Sequence, residues 1–318
     1  MWSGLKNCNA LDALAGNDML KRSLLEALAA GRLSHSVLLC GEAGTGTGFA
    51  ARCLAADYLY PGAAAAPAAQ ALVQGRPCAE ALVLQGSGPS GEIKIDDVRA
   101  VRREVFNTAL SAGGRAVLLY GAHRLNTASA NALLKVMEEP PAGVLFILTA
   151  PGEAAVLPTI RSRCAVYSLA PVGDDACAAW LRENCPGEGD IPALCALFAG
   201  KIGAAARCIR EPEARRALAD ARALAGHVAA GNGYGAMALC ARYEKDRAGA
   251  GRLLELFCQV CAWALRDPAA PLPAALAARA LPLAQRAAGQ LRANVSAKLA
   301  LAVFAVRACA PAGGGPRA

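Results

Sequence analysis

Val37-Leu38-Leu39-Cys40-Gly41-Glu42-Ala43-Gly44-Thr45-Gly46-Thr47-Gly48 decides how the first half of this chain folds. The apolar run Val37 to Cys40, closed by a turn, reads as a buried strand. A glycine-rich turn follows, Gly41 to Gly46, and then a helix carrying Phe49, Cys53 and Leu54. Strand, glycine turn and helix in this order form the frame of a phosphate-binding loop, GxxxxGK[ST]. In a working loop the backbone N–H groups close round phosphate oxygens, the Lys neutralises the terminal phosphates, and the Ser/Thr hydroxyl ligates magnesium. Here Gly41, Gly44 and Gly46 keep the frame, but Thr47 stands at the Lys position and Gly48 at the Ser/Thr position. Hydrogen bonds to charged groups are worth about 1.5–3 kcal/mol each, so a bound triphosphate loses several such increments. Backbone amides and the helix N-terminus still attract an anion weakly. By itself the stretch fits a chance glycine turn as well as a decayed loop.

Working outward, Leu11, Leu14, Leu20, Leu24, Leu25 and Leu28 make a helical pattern upstream. Downstream, residues 61–77 are rich in Ala, Pro and Gly and read as an insert. Asp96 is a candidate N-cap for a helix carrying Val98, Val101 and Val105. Two further strands are expected at Ala116–Tyr120 and Val144–Leu148. A helix from Thr127 to Glu138 lies between them, with Ala130, Leu133, Leu134 and Met137 on one face and Pro140-Pro141 as its stop. Strands alternating with helices predict a parallel sheet covered on both faces. After Cys164-Ala165-Val166-Tyr167-Ser168 the strand pattern ends. Short helices are expected over 174–210, and Ala/Leu-rich helices over 212–310, with loops at 231–235 and 267–273. The expected organisation is therefore an α/β domain over 1–168, a small helical domain over 169–211, an all-α domain over 212–310 and a disordered tail over 311–318.

Composition sets the bounds. A chain of 318 residues points to two or three domains. No secretory signal is read at the start and no apolar run is long enough to cross a membrane, so the expected compartment is the cytoplasm. The net charge of +8 permits contact with nucleic acid without requiring it. The 13 cysteines are scattered without a framework and read as small buried hydrophobes. Cys258 and Cys261 form a lone CxxC within an apolar helical stretch, which favours core packing over zinc. None of His35, His123 and His227 sits in a catalytic pattern; His35, just before the first strand, is expected to pack or cap there.

A second loss accompanies the first. In a P-loop ATPase, the strand Val117-Leu118-Leu119 would end in Asp-Glu, for magnesium and for orienting water; here it ends in Tyr120-Gly121. Two losses in the expected order favour decay of an ATPase site over coincidence.

Asn131-Ala132-Leu133-Leu134-Lys135-Val136-Met137-Glu138-Glu139-Pro140-Pro141, then Ser162-Arg163-Cys164, preceded by Ile93-Lys94-Ile95-Asp96-Asp97-Val98-Arg99, resemble the clamp-loader branch of the AAA+ proteins. Gly16-Asn17-Asp18 and Gly31-Arg32-Leu33-Ser34-His35 match as well, and the likeness is strong over 10–168. The resemblance implies an AAA+ P-loop module, a small helical lid and a helical collar that joins subunits in a ring. It also implies a role in bacterial DNA replication, within the DNA polymerase III assembly. In that family the Arg of Ser-Arg-Cys reaches the ATP of the next subunit as a finger, which would make Arg163, flanked by Ser162 and Cys164, catalytic in trans. From the tripeptide alone, a plain ion pair with a nearby carboxylate is the simpler reading; the flanking motifs favour the finger. The family's ATPases also carry a phosphate-sensing Arg where Gly203 stands, with Lys201 a partial substitute, and Lys135 could touch DNA or a neighbour. Relatives with four zinc-binding cysteines have no match in Cys53 and Cys78, and the 61–77 insert would replace that module.

The resemblance thus implies a non-hydrolysing stator. It would bind no cofactor or metal itself, while ATP and magnesium lie in the neighbour. Its partners would be gamma/tau and delta subunits, with the sliding clamp and primer-template DNA reached through the assembly, and no membrane. The alternatives are an active gamma/tau-like ATPase or a stand-alone DNA-binding module of the same fold.

Overall fold

In a computed structural model the chain is described over residues 9–87, 91–106, 114–185 and 190–310, so the tail expected at 311–318 lies outside the described residues. It divides into two compact units: Met1–Asn184 with Gly200–Gly203, and Cys185–Ala199 with Ala204–Ala318.

The first unit runs α1 (Asp18–Ala29), β1 (Ser36–Cys40), α2 (Thr47–Leu59), α3 (Pro67–Val73), β2 (Ala81–Gln85), α4 (Ile95–Phe106), β3 (Arg115–Tyr120), α5 (Thr127–Glu138), β4 (Val144–Ala150), α6 (Pro158–Arg161), β5 (Ala165–Ser168) and α7 (Asp174–Asn184). The strands form one parallel sheet in the order β2-β3-β4-β1-β5. Every residue of β1 and β4 is buried, as expected of central strands covered on both faces. Alternation along each strand divides the core in two. Val37, Leu39, Leu118, Leu145 and Ile147 pack with Leu24, Leu54 and Leu72 on one face. Leu38, Val117, Leu119, Phe146 and Leu148 pack with Val98, Leu133 and Met137 on the other.

The helix α5 spans the residues expected of it, and Asn126 caps it by accepting a hydrogen bond from Ser129 N–H at 2.8 Å. One expectation is corrected. Asp96 is not an N-cap, because α4 begins at Ile95 and puts Asp96 inside its first turn, near the positive end of the helix dipole. Within the 61–77 stretch Pro67 opens α3, whose Ala69, Leu72 and Val73 are buried against the sheet's helical cover. The edge strand β2 was not legible, because only Leu84 of its five residues is buried and its pattern is weak.

The second unit contains α8 (Ile191–Phe198), then α9 (Ile202–Arg210, which starts in the first unit), α10 (Pro212–Ala229), α11 (Gly233–Ala241), α12 (Arg247–Ala264), α13 (Ala274–Arg292) and α14 (Ala297–Cys309). The helix α12 packs on α10 and α13, and α11 packs on α14. Phe257 meets Phe304 edge to face at 5.3 Å between ring centroids. Cys261 is buried in this core and Cys258 half-buried, both with thiols pushed up by burial, to about 12 and about 11. Among the described residues no helix is long and apolar enough to cross a membrane.

One buried charge ties the chain's start to the sheet. Asp57 on α2 accepts backbone hydrogen bonds from Ala10 and Leu11, and burial pushes its carboxyl from 3.8 up to about 6 despite them. That rise corresponds to roughly 3 kcal/mol of stability. Because the folded value lies above the unfolded one, this stability is complete below 3.8 and is lost as pH rises through about 6. Between about pH 4.5 and about pH 7.5, Asp57→Asn should therefore flatten the decline in melting temperature seen for wild type; equal slopes would show that Asp57 does not carry it.

Candidate functional site

The strands all point one way, so the turns that leave them share one edge of the sheet and the turns that enter them share the other. Gly41 to Gly48 leaves β1, and Tyr120-Gly121 leaves β3. Ser162-Arg163-Cys164 enters β5. Ala165 stands level with Val37 in the β1–β5 register, four residues before Gly41. At about 3.3 Å per residue this separates the loop from the start of β5 by about 13 Å along the strand, and Arg163 lies two residues before that start.

On the leaving edge the loop keeps its backbone shape. Gly44 and Gly46 have φ of 92° and 103°, in the region that glycine alone occupies freely. A methyl group at Gly41 would lie 2.6 Å from Thr45 Oγ1. Thr45 donates to Glu42 O at 2.8 Å and closes the turn on itself. Thr47 is the first residue of α2. A methyl group at Gly48 would stand 3.5 Å from Tyr120 Cε1, and Arg52 Nη1 lies 3.9 Å from the same point. A phenol ring thus borders the position where a magnesium-binding hydroxyl would face a carboxylate. Gly121 donates its N–H to Thr149 Oγ1 at 3.1 Å, which fixes the end of β3.

Gly203, at the position aligned with a phosphate-sensing Arg, donates its N–H to Gly44 O at 2.8 Å. A methyl group there would lie 3.0 Å from that carbonyl. Lys201 Nζ pairs with Glu42 Oε2 at 2.6 Å and holds the Glu42 carboxyl below its usual value. So Lys201 engages the loop's own glutamate.

On the entering edge each residue of Ser162-Arg163-Cys164 has a distinct place. Ser162 Oγ donates to Thr159 O at 3.2 Å, and Cys164 Sγ to Ile160 O at 3.4 Å. Burial, reinforced by nearby Cys40, pushes the Cys164 thiol up to about 12, so it stays a neutral structural group. Both flanking side chains fasten the turn to α6. Arg163 emerges between them, donates to Thr159 O at 3.0 Å and pairs with Glu138 Oε1 at 2.5 Å. His35 Nε2 lies 3.0 Å from Met137 O, so it does cap, at the C-terminus of α5 rather than on its own strand. His123 is held below its usual value by burial and Arg124. Lys135 is exposed on α5.

Sequence reasoning missed the Glu138 partnership, the Tyr120 ring beside Gly48, and the Lys201–Glu42 pair. A signal existed for the first: Glu138 ends α5, where a negative charge meets the negative end of the helix dipole and calls for a cation. Cys53 is buried within α2, while Cys78 donates to Glu80 at 3.0 Å. Among the described residues no group of His, Cys, Asp and Glu side chains gathers to hold a metal ion.

The ring beside Gly48 makes a restoration test informative. Thr47→Lys with Gly48→Thr should leave ATP binding weaker than about 1 mM in calorimetry, because the new side chain meets the phenol and no carboxylate holds magnesium. Adding Tyr120→Asp and Gly121→Glu should tighten binding at least about tenfold. Tight binding by the first pair alone would show that the ring is no obstacle.

Comparison with known proteins places this geometry. A family model described as DNA polymerase III, delta subunit matches residues 16–173. The DNA polymerase III subunit delta' of Haemophilus influenzae is 39% identical over 93 residues, 29% of this chain and 28% of that protein. The gamma/tau subunit of Mycobacterium bovis is 32% identical over 191 residues, 56% of this chain and 32% of that protein. A DNA polymerase III gamma subunit-related protein of Thermotoga maritima superposes with a TM-score of 0.57 at 17% identity, covering 92% of this chain and 99% of that one, which is a likeness of fold. The chain spans less than half the length of the curated relatives it matches, from 28% to 49%. With its five-stranded parallel sheet and its family motifs, the chain belongs to the delta-prime clamp-loader family of DNA polymerase III.

Proposed function

We propose that this chain is a non-hydrolysing subunit of the bacterial clamp loader, a stator that donates Arg163 to the ATP of a neighbouring subunit. The sliding clamp is thereby loaded on primed DNA. The observation that carries this reading is the placement of Arg163 and the glycine loop on opposite edges of one parallel sheet. The separation of about 13 Å exceeds the reach of an arginine side chain, so Arg163 has no access to its own loop and serves a phosphate brought by another chain. There a guanidinium offsets charge building on the terminal phosphate. Thr47, Gly48, Tyr120 and Gly121 support the absence of hydrolysis in cis, since none of them supplies a cation, metal ligand or water-orienting carboxylate.

In this reading ATP and magnesium belong to gamma/tau-type neighbours, and delta completes the set of loader partners. Sliding clamp and primer-template DNA are met through the assembly, in the cytoplasm. The segment 169–211 acts as the lid and 212–310 as the collar. On α14, Leu299, Val303 and Val306 recur at helical spacing and are exposed, as are Tyr234 and Met237 on the adjoining α11. Apolar side chains gathered on the surface in this way suit a partner helix.

The identity to gamma/tau subunits favours a second reading, an active ATPase of the same family. Steady-state hydrolysis by the isolated chain separates the two: silence supports the stator, and turnover supports the ATPase. In the reconstituted loader with clamp and primed DNA, Arg163→Ala should lower hydrolysis at least about threefold while the assembly still forms, since an arginine finger supplies much of the rate at its site. An unchanged rate would reduce the chain to a scaffold. Leu299→Asp with Val306→Asp should weaken incorporation into the loader at least about tenfold, with unchanged helical circular dichroism; normal incorporation would place the collar contact elsewhere.

A further inference from the structure

Glu138 has no place in the function stated above, yet it makes the shortest polar contact of Arg163. Its Oε1 lies 2.5 Å from Arg163 Nη2, while Nη1 is held by Thr159 O at 3.0 Å. A guanidinium carries five N–H donors, and these contacts do not exhaust them. The backbone that carries Glu138 is anchored. Glu138 ends a capped helix, His35 reaches the carbonyl of the preceding Met137 at 3.0 Å, and Pro140-Pro141 restricts the chain that follows. The pair adds little to folding, because the Arg163 and Glu138 side chains are 37% and 47% exposed and solvent screens them. A carboxylate carried on an anchored helix end that orients a flexible cation at little gain in stability is the pattern of preorganisation.

We infer that Glu138 is a positioning residue, which holds the Arg163 guanidinium in the orientation that receives the neighbouring subunit's terminal phosphate. This rests on the reading that Arg163 acts in trans. The opposite role, a brake that withholds Arg163 by neutralising it, predicts the opposite rate change. Reach and charge are separable: Glu138→Gln keeps an acceptor oxygen at the same distance without the charge, and Glu138→Asp keeps the charge without the reach.

The test is DNA- and clamp-stimulated ATP hydrolysis by the loader reconstituted from full-length chains, with Arg163→Ala alongside. Glu138→Ala and Glu138→Asp should lower kcat about three- to tenfold, with the apparent KM for ATP within about twofold and the melting temperature of the chain unchanged. Glu138→Gln should retain at least about half of the wild-type rate. Glu138→Ala and Glu138→Asp loaders that run at or above the wild-type rate overturn the positioning role. If they do so while Arg163→Ala is slow, only the Glu138 inference falls. If Arg163→Ala itself matches wild type, the trans role of Arg163 falls and the Glu138 inference falls with it.

Discussion

Parallel pairing of β1 with β5 is the constraint on which the rest of this structure depends. Because Val37 lies level with Ala165, the strand that ends in the glycine loop and the strand that begins after Arg163 point the same way. A parallel pair always puts the exit of one strand at the far edge from the entrance of the other. The glycine loop and Arg163 are thereby held apart by the length of the strands. The topology thus keeps Arg163 away from the loop of its own chain. The sheet holds that relation firmly, since β1 and β4 are buried along their whole length and packed on both faces.

The loop keeps the backbone frame of a phosphate-binding turn without its usual charged side chains. Backbone conformation survives because Gly44 and Gly46 still occupy left-handed φ and Gly41 still leaves room for Thr45. What these positions lack is charge. Where a lysine, a hydroxyl and two carboxylates would stand, there are a threonine, a glycine, a tyrosine ring and a second glycine. The replacements also fit one another, with Tyr120 against Gly48, Gly203 N–H on Gly44 O and Lys201 on Glu42. The Gly44 carbonyl and the Glu42 carboxylate are thus met from within the protein.

At the opposite edge Ser162, Arg163 and Cys164 all donate to carbonyls of α6, and Arg163 keeps a second guanidinium nitrogen for Glu138. Its pairing with Glu138 answers two needs at once. It relieves an acidic side chain at a helix C-terminus, and it restrains a long side chain that would otherwise sample many rotamers. The ion pair and the finger, alternatives when the tripeptide is read alone, are compatible in the folded chain.

Local signals carried much of this protein. The apolar run Val37 to Cys40, the periodicity of α5 and the stop at Pro140-Pro141 determined the α/β character, and the residue types at 47, 48, 120 and 121 determined that the phosphate-handling groups are absent. The strand β2 escaped because an edge strand buries little, and α3 because alanine-rich helix and alanine-rich loop look alike in composition. Tertiary structure alone decided which residues meet. Tyr120 reaches Gly48, and Arg163 reaches Glu138, across separations of 72 and 25 positions, respectively. Neither contact has a local signature, because the register of the parallel strands and the packing of α5 beside them set the distances. Sequence spacing encodes what a turn or a helix face requires; it does not encode which distant turns a sheet brings to the same edge.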